Sequence, residues 1–294
     1  MGIMLLAATA GLTVMPAFSA PGEDPGQTHM PEEERSSLSA QMAPGLPAGS
    51  ATPSMSPSPQ IEFAGYTWLI RKEDIPVGPQ NNVFSLNAVT LGPDKSLRLR
   101  MVPSDGRWFA AELYLQKSLG YGTYTFRVRT APSGLDSNLV LGLFTYSPQK
   151  AYYHREMDIE FSAWGVPGTA PKGQYVLQPY TRKGNLHLFD VPEGGGRASY
   201  SFRWRPGRIE FLSWDGYGSR PVATGYPAAP GDAVQGQMAV LAHWVYEETQ
   251  YVPKPGSEVV HMNLYLAHGD VPPAGDGVIE VIIDGFEFEP EPRD

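Results

Sequence analysis

Three carboxylates stand at alternate positions of one short run, Glu156-Met157-Asp158-Ile159-Glu160-Phe161. In a β-strand residues i, i+2 and i+4 share a face, so the acids point one way and Met157, Ile159 and Phe161 the other. The apolar side is expected in a core and the acidic side looking out from the sheet. Like charges this close cannot all ionise freely, so at least one must take up its proton more readily than usual. One charged and one protonated carboxyl is what acid/base chemistry on a sugar needs. Glu156 and Glu160 have Cα atoms about 13 Å apart at strand rise. Side chains leaning together could bring the carboxyls to about 5 Å, the separation suited to a retaining glycosidase rather than an inverting one. Two plainer readings of the same pattern remain open: an ordinary solvated strand face, or a cation site.

Such a strand needs a sheet to hold it. Short alternating runs follow one another at Ser96–Met101, Trp108–Leu115, Thr123–Thr130, Asn138–Tyr146, Glu156–Trp164, Tyr175–Thr181, Tyr200–Arg205, Arg208–Trp214, Met238–Tyr246, His261–Ala267 and Val278–Phe288. Turn signals separate them, among them Ser104-Asp105-Gly106, Pro206-Gly207 and Asp215-Gly216. With 32 glycines, 29 prolines and no long amphipathic helical run, the chain reads as all-β, a sandwich or barrel. No repeat recurs at fixed period, which argues against a propeller.

The chain divides into three parts. Residues 4–18 form an apolar run ending in Ala17-Phe18-Ser19-Ala20, which reads as an export signal over residues 1–20, although no Lys or Arg precedes Arg35. Residues 21–60 hold eight prolines and no aromatic, the composition of a disordered linker. Residues 61–294 would then be the folded domain of a secreted, extracellular or periplasmic protein, expected to be a monomer. The net charge of −9 argues against nucleic acid or an anionic membrane as partner and leaves a neutral polysaccharide compatible. The absence of cysteine excludes disulfides, a thiolate nucleophile and cysteine-bound zinc.

The run Glu156–Phe161 resembles the E-[I/L/M]-D-I-E-F signature of family-16 glycoside hydrolases, without the extra residue of the laminarinase type. The flanks are similar too: Glu112 through Gly122, Leu143-Phe144-Thr145-Tyr146 before the acids, Trp204-Arg205-Pro206-Gly207-Arg208-Ile209 as the W-x-P-x-x-I hairpin, and Val278–Phe288 as the closing strand. The likeness spans about residues 61–290. It implies a concanavalin A-like jelly roll of two antiparallel sheets with a cleft on the concave face. It also implies Glu156 as nucleophile, Glu160 as general acid/base and Asp158 as the residue holding the nucleophile's hydrogen bonding and charge. No cofactor is implied for catalysis.

By the same resemblance, sugar contacts fall to Glu112, Phe144, Gln178, Tyr180 and Trp244, and His154 stands where lichenases carry Trp. The sequence departs from lichenases at Ala242, read against an Asn two before the cleft tryptophan, and at Tyr114, read against an arginine. Asp284 matches a position that binds structural Ca²⁺ in many members, through oxygen ligands. None of the six histidines has H-x-x-x-H spacing. The expected activity is an endo-acting, retaining β-glycanase on β-glucan or a related polysaccharide. A transglycosylase on the same residues, a non-catalytic carbohydrate-binding sandwich and a structural sandwich are the other readings.

Overall fold

The computed structural model describes residues 59–292 apart from 167, 195, 222–237, 270–272 and 274–276. The segment read as an export signal and nearly all of the segment read as a linker lie outside the described residues. Among the described residues there is no α-helix; sixteen strands are joined by turns and four short 3-10 segments.

The first sheet is made of β1 (Gln60–Phe63), β2 (Tyr66–Ile70), β6 (Arg107–Leu115), β8 (Leu139–Tyr146), β9 (Met157–Ser162), β10 (Lys172–Leu177), β11 (Leu186–Phe189) and β15 (Val259–Leu266). Its spatial order is β1-β2-β6-β15-β8-β9-β10-β11, all antiparallel. The second sheet holds β4 (Val89–Leu91), β5 (Leu97–Ser104), β7 (Gly122–Val128), β12 (Ala198–Arg205), β13 (Arg208–Asp215), β14 (Val240–Tyr246) and β16 (Ile279–Pro290). It runs β4-β5-β16-β7-β12-β13-β14, again antiparallel. The β5–β6 hairpin carries the chain from one sheet to the other, and β3 (Val83–Phe84) pairs with β6 in parallel. This is the jelly-roll sandwich expected from the sequence.

Turn chemistry sets the hairpins. Asp105 (φ 50°) and Gly106 (φ 74°) both take the positive φ that a two-residue type I′ loop demands, so Ser104 faces Arg107 across β5–β6. Pro206 and Gly207 join β12 to β13 with proline's fixed φ followed by a positive one. Ten of the eleven alternating runs are strands over most of their length, and the run Tyr175–Thr181 is strand only as far as Leu177, the end of β10, beyond which the chain turns. The sequence reading passed over β1, β2, β3, β4 and β11, which are short or weakly alternating.

Strand β9 is central, between β8 and β10. Its apolar face is fully buried: Met157, Ile159 and Phe161 are each at 0% exposure. Phe161 meets Tyr200 of the second sheet edge-on, with centroids 4.7 Å apart. Tyr175 of β10 stacks on Phe211 of β13 at 4.9 Å. Each such side chain contributes about 1.5–3 kcal/mol by leaving water. That packing fixes which face β9 turns inward, and so fixes the acids on the opposite face.

Candidate active site

The opposite face is a set of cross-strand rows. One row reads Tyr114 (β6), His261 (β15), Phe144 (β8), Asp158 (β9), Val176 (β10). The next reads Glu112, Asn263, Gly142, Glu160, Gln174 on the same strands. Glu156 sits one residue before β9, and its carbonyl accepts the Gln178 N–H at 3.1 Å. Glu156, Asp158 and Glu160 therefore share one face, as their spacing requires. They do not look out freely: their exposures are 8%, 2% and 5%. Neighbouring side chains close over them, which the alternation of one strand could not reveal.

Two of the acids have a dedicated glutamine. Gln174 Nε2 donates to Glu160 Oε2 at 2.7 Å. Gln178 Nε2 donates to Asp158 Oδ2 at 3.0 Å, while its own Oε1 accepts from the Tyr180 backbone N–H at 3.0 Å. Gln178 thus orients Asp158 through one N–H of its amide. Tyr180 joins the site through this backbone bond.

Gly142 makes room beside Glu160. A Cβ there would stand 2.5 Å from Asn263 Oδ1 and 3.4 Å from the Phe144 ring. Asn263 is 5% exposed, and its Oδ1, like Gln174 Oε1, is a buried acceptor with no hydrogen-bond partner among the described residues. Two such acceptors flank Glu160. The Gly142→Ala variant is expected to displace the Asn263 amide, lowering turnover and costing about 1–3 kcal/mol by overpacking. Thermal denaturation and initial rates on a β-glucan check this; wild-type values for both would show that Asn263 has slack.

Glu112 lies in the Glu160 row, with both of its carboxylate oxygens engaged by the protein. Arg71 Nη1 donates to its Oε2 at 2.9 Å and His261 Nδ1 donates to its Oε1 at 2.9 Å. Burial pushes this carboxyl up, but the Arg71 charge and the His261 bond override it and hold it down at about 2. The His261 ring lies between Tyr114 (5.2 Å, 19°) and Phe144 (5.0 Å, 22°). Glu112 therefore orients His261 within a three-ring stack that leads to Asp158. Phe144 is on the acid face, as expected. Arg71 and His261 escaped the sequence reading because their partner is 41 and 149 residues away.

The turn entering β9 is left-handed. Tyr152, Tyr153, His154 and Arg155 have φ of 54°, 49°, 66° and 51°, with no glycine among them. Such a conformation costs roughly 1–2 kcal/mol per residue, and surrounding bonds offset it. The His154 carbonyl accepts from Ser147 N–H at 2.8 Å, and the Arg155 carbonyl accepts from Thr145 Oγ1 at 2.9 Å. His154 Nδ1 donates to the Ser147 carbonyl at 2.8 Å, and its ring stacks on Tyr146 at 5.1 Å and 7°. Arg155 Nε donates to Lys254 O at 2.9 Å. His154 thus anchors the turn that delivers Glu156.

Trp244 is a correction. It lies on β14, in the second sheet, stacked on Phe211 (5.3 Å, 22°) and on His187 (5.7 Å, 8°). Phe211 is core, so Trp244 faces the interior of the sandwich and not the acids. The strand lying between β6 and β8 on the acid-bearing sheet is β15. There Asn263-Leu264-Tyr265 repeats the Asn-x-aromatic spacing, with Tyr in place of Trp. That signal was readable; a lone tryptophan drew attention to the wrong strand.

Asp284 is a second correction. It stands at a bulge in β16, on the second sheet. Both its oxygens accept from Arg129, through Nε at 3.0 Å and through Nη2. Tyr217 Oη donates to it at 2.6 Å, and Arg197 is 3.7 Å away. Burial raises this carboxyl, but the Arg129 and Tyr217 bonds outweigh it and lower it. Two guanidinium groups stand where a cation would have to sit, so these residues do not fit Ca²⁺. Among the described residues no group of three or more His, Asp or Glu is placed to hold a metal. Millimolar Ca²⁺ is expected to leave the melting temperature unchanged. A site at 100-fold saturation would add about 2.7 kcal/mol and a clear upward shift.

No family model matches the chain. An endo-1,3-1,4-β-glycanase of Rhizobium meliloti is 35% identical over 104 residues, 34% of this chain and 36% of that protein, so the match spans about a third of the relative's length. Among solved structures, a Bacillus licheniformis β-glucanase superposes with TM-score 0.52 at 16% identity, covering 76% of this chain and 92% of that one. A family-16 endo-glucanase of Bacteroides ovatus gives 0.51 at 12%, covering 76% and 94%. An immunostimulatory antigen and pseudo β-1,3-glucanase of Mycobacterium tuberculosis gives 0.51 at 17%, covering 74% and 88%. These structural likenesses show the fold. The resemblance read from the acidic strand thus stands beside a partial sequence match to a glycanase and a shared fold.

Proposed function

We propose that the chain is a retaining endo-β-glycanase of glycoside hydrolase family 16, acting on a β-glucan or a related polysaccharide. The observation that carries this reading is the single strand on which Glu156, Asp158 and Glu160 share one face, with the Asp158 and Glu160 carboxyls held by Gln178 and Gln174 and the Glu156 backbone pinned by Gln178 N–H.

In the first step a Glu156 oxygen attacks the anomeric carbon from below. The bond to the leaving sugar oxygen breaks, and Glu160 gives that oxygen its proton. In the second step Glu160, now a carboxylate, takes a proton from water. The water oxygen bonds to the anomeric carbon and the bond to Glu156 breaks, returning both carboxyls to their starting forms. Asp158, fixed by Gln178, orients the nucleophile between turnovers. Asn263 Oδ1 and Gln174 Oε1 supply acceptors for sugar hydroxyls beside Glu160. Secretion of the protein is part of the same proposal, since a polysaccharide substrate lies outside the cell, and the apolar segment ending near Ala20 supports it.

The test is a proton NMR time course on lichenan. Initial release of β-anomer, with mid-chain products, is the expected result. Initial release of α-anomer would overturn the retaining assignment. Binding of lichenan without cleavage would favour a carbohydrate-binding role, and longer oligomers among the products would favour transglycosylation.

A further inference from the structure

Three loops meet at the Glu156 end of the acid strand. Tyr153 comes from the left-handed turn before β9, Arg182 from the β10–β11 hairpin, and Tyr251 from the short 3-10 segment between β14 and β15. The Arg182 guanidinium lies 3.7 Å over the Tyr251 ring and 5.4 Å from that of Tyr153. Both tyrosines remain open to solvent, at 41% and 43% exposure. The cluster is tied to the acids through the backbone. Tyr153 O accepts the Glu156 N–H, and Gln178, four residues before Arg182, binds Glu156 O and Asp158.

We propose that Tyr153, Arg182 and Tyr251 form a subsite for an acidic group carried by the substrate glycan, a carboxylate on a sugar or on its substituent. The proposal rests on the glycanase reading above. A guanidinium that stacks through its faces keeps its N–H donors in the plane, and that fork matches a carboxylate. Tyr246 takes one donor. Arg182 is in no ion pair with a carboxylate among the described residues, and Glu248, in the Tyr251 loop, is engaged by Gln250 Nε2 at 2.9 Å. In a chain of net charge −9, an acidic substrate needs such a local cation beside the cleft. The two exposed rings offer faces on which the sugar itself can lie.

The experiment compares lichenan with lightly carboxymethylated lichenan, for wild type and for Arg182→Gln. Wild type is expected to favour the carboxymethylated polymer in kcat/KM, and Arg182→Gln to lower that preference by about tenfold. The preference should also shrink at high salt. An unchanged ratio in the variant, or equal losses on both polymers, would overturn the subsite and leave Arg182 as a clamp between loops. If wild type cleaves neither polymer, the glycanase reading falls. Affinity electrophoresis in carboxymethyl-lichenan gels then reads the site directly: greater retardation of wild type than of Arg182→Gln supports it, and equal mobility overturns it.

Discussion

Replacing Glu156 by Gln is expected to lower kcat on a β-glucan by about 10⁴-fold while leaving the fold intact, because an amide oxygen is a poor nucleophile and no second carboxylate can reach the same side of the sugar. Asp158 alternates with Glu156 on the strand, but its Oδ2 is held by Gln178, and Glu160 lies beyond it in the Gly142 row. The variant keeps the shape at the mouth of β9, so far-UV circular dichroism should match wild type. A small anion separates the two glutamates. In Glu156→Ala, azide entering the space of the lost carboxylate attacks the anomeric carbon from that side and leaves an azido sugar of inverted configuration. In Glu160→Ala, the glycosyl-Glu156 ester still forms on an activated aryl glycoside, and azide then displaces it with net retention. Opposite configurations in the two variants would fix the roles. The same configuration in both, or wild-type turnover in Glu156→Gln, would remove Glu156 from the mechanism.

The acid strand was legible because its information is local. Alternation decides which residues share a face, and Met157, Ile159 and Phe161 left the orientation of β9 in no doubt. The hairpins were legible for the same reason, since Asp105-Gly106 and Pro206-Gly207 state their own backbone geometry. What surrounds the acids was not local. β15 reaches the centre of the sheet from 95 or more residues downstream of β9, between β6 and β8. The Asn263-Leu264-Tyr265 spacing is the one mark by which the run His261–Ala267, rather than Met238–Tyr246, belongs next to β8, and Trp244 points the cleft reading to a strand of the other sheet. The left-handed turn at Tyr152–Arg155 was hidden by its composition. Tyr, Tyr, His and Arg carry no signal for positive φ, and bonds with Thr145, Ser147 and Lys254 help hold it. Asp284 failed for a different reason. A matching residue type was read as a metal ligand, but Arg129, 155 residues earlier in the chain, supplies the positive charge instead.

The Arg71→Met variant is expected to lose about 3–5 kcal/mol of stability at neutral pH, the cost of stranding a buried carboxylate. Arg71 and Glu112 are 8% and 4% exposed, and the guanidinium also bonds Glu73 at 3.1 Å and Gly78 O at 3.1 Å. For a domain of this size the loss corresponds to a fall of about 10 °C in melting temperature. Its pH dependence has a definite sign. Glu112 titrates in the folded protein at about 2, below its ordinary 4.5. Its ionised form thus contributes stability that is fully present above pH 4.5 and is lost as pH falls toward 2, about 3 kcal/mol in all. Without Arg71 the carboxyl takes up its proton more readily, and protonation then relieves the stranded charge. The melting temperatures of wild type and variant should therefore stand furthest apart near pH 7 and converge as the pH is lowered through 4.5 toward 3. A separation that stays constant across that range would mean that Arg71 acts by packing over Phe84, 4.1 Å from its guanidinium, and not by charge. The double variant Arg71→Met/Glu112→Met decides between the two. If charge is the cause, removing both partners should recover most of the stability lost by the single variant, since apolar groups of similar volume replace a buried ion pair at little cost. It should still fail to restore activity, because His261 would have lost the carboxylate that orients it against Phe144 and Tyr114.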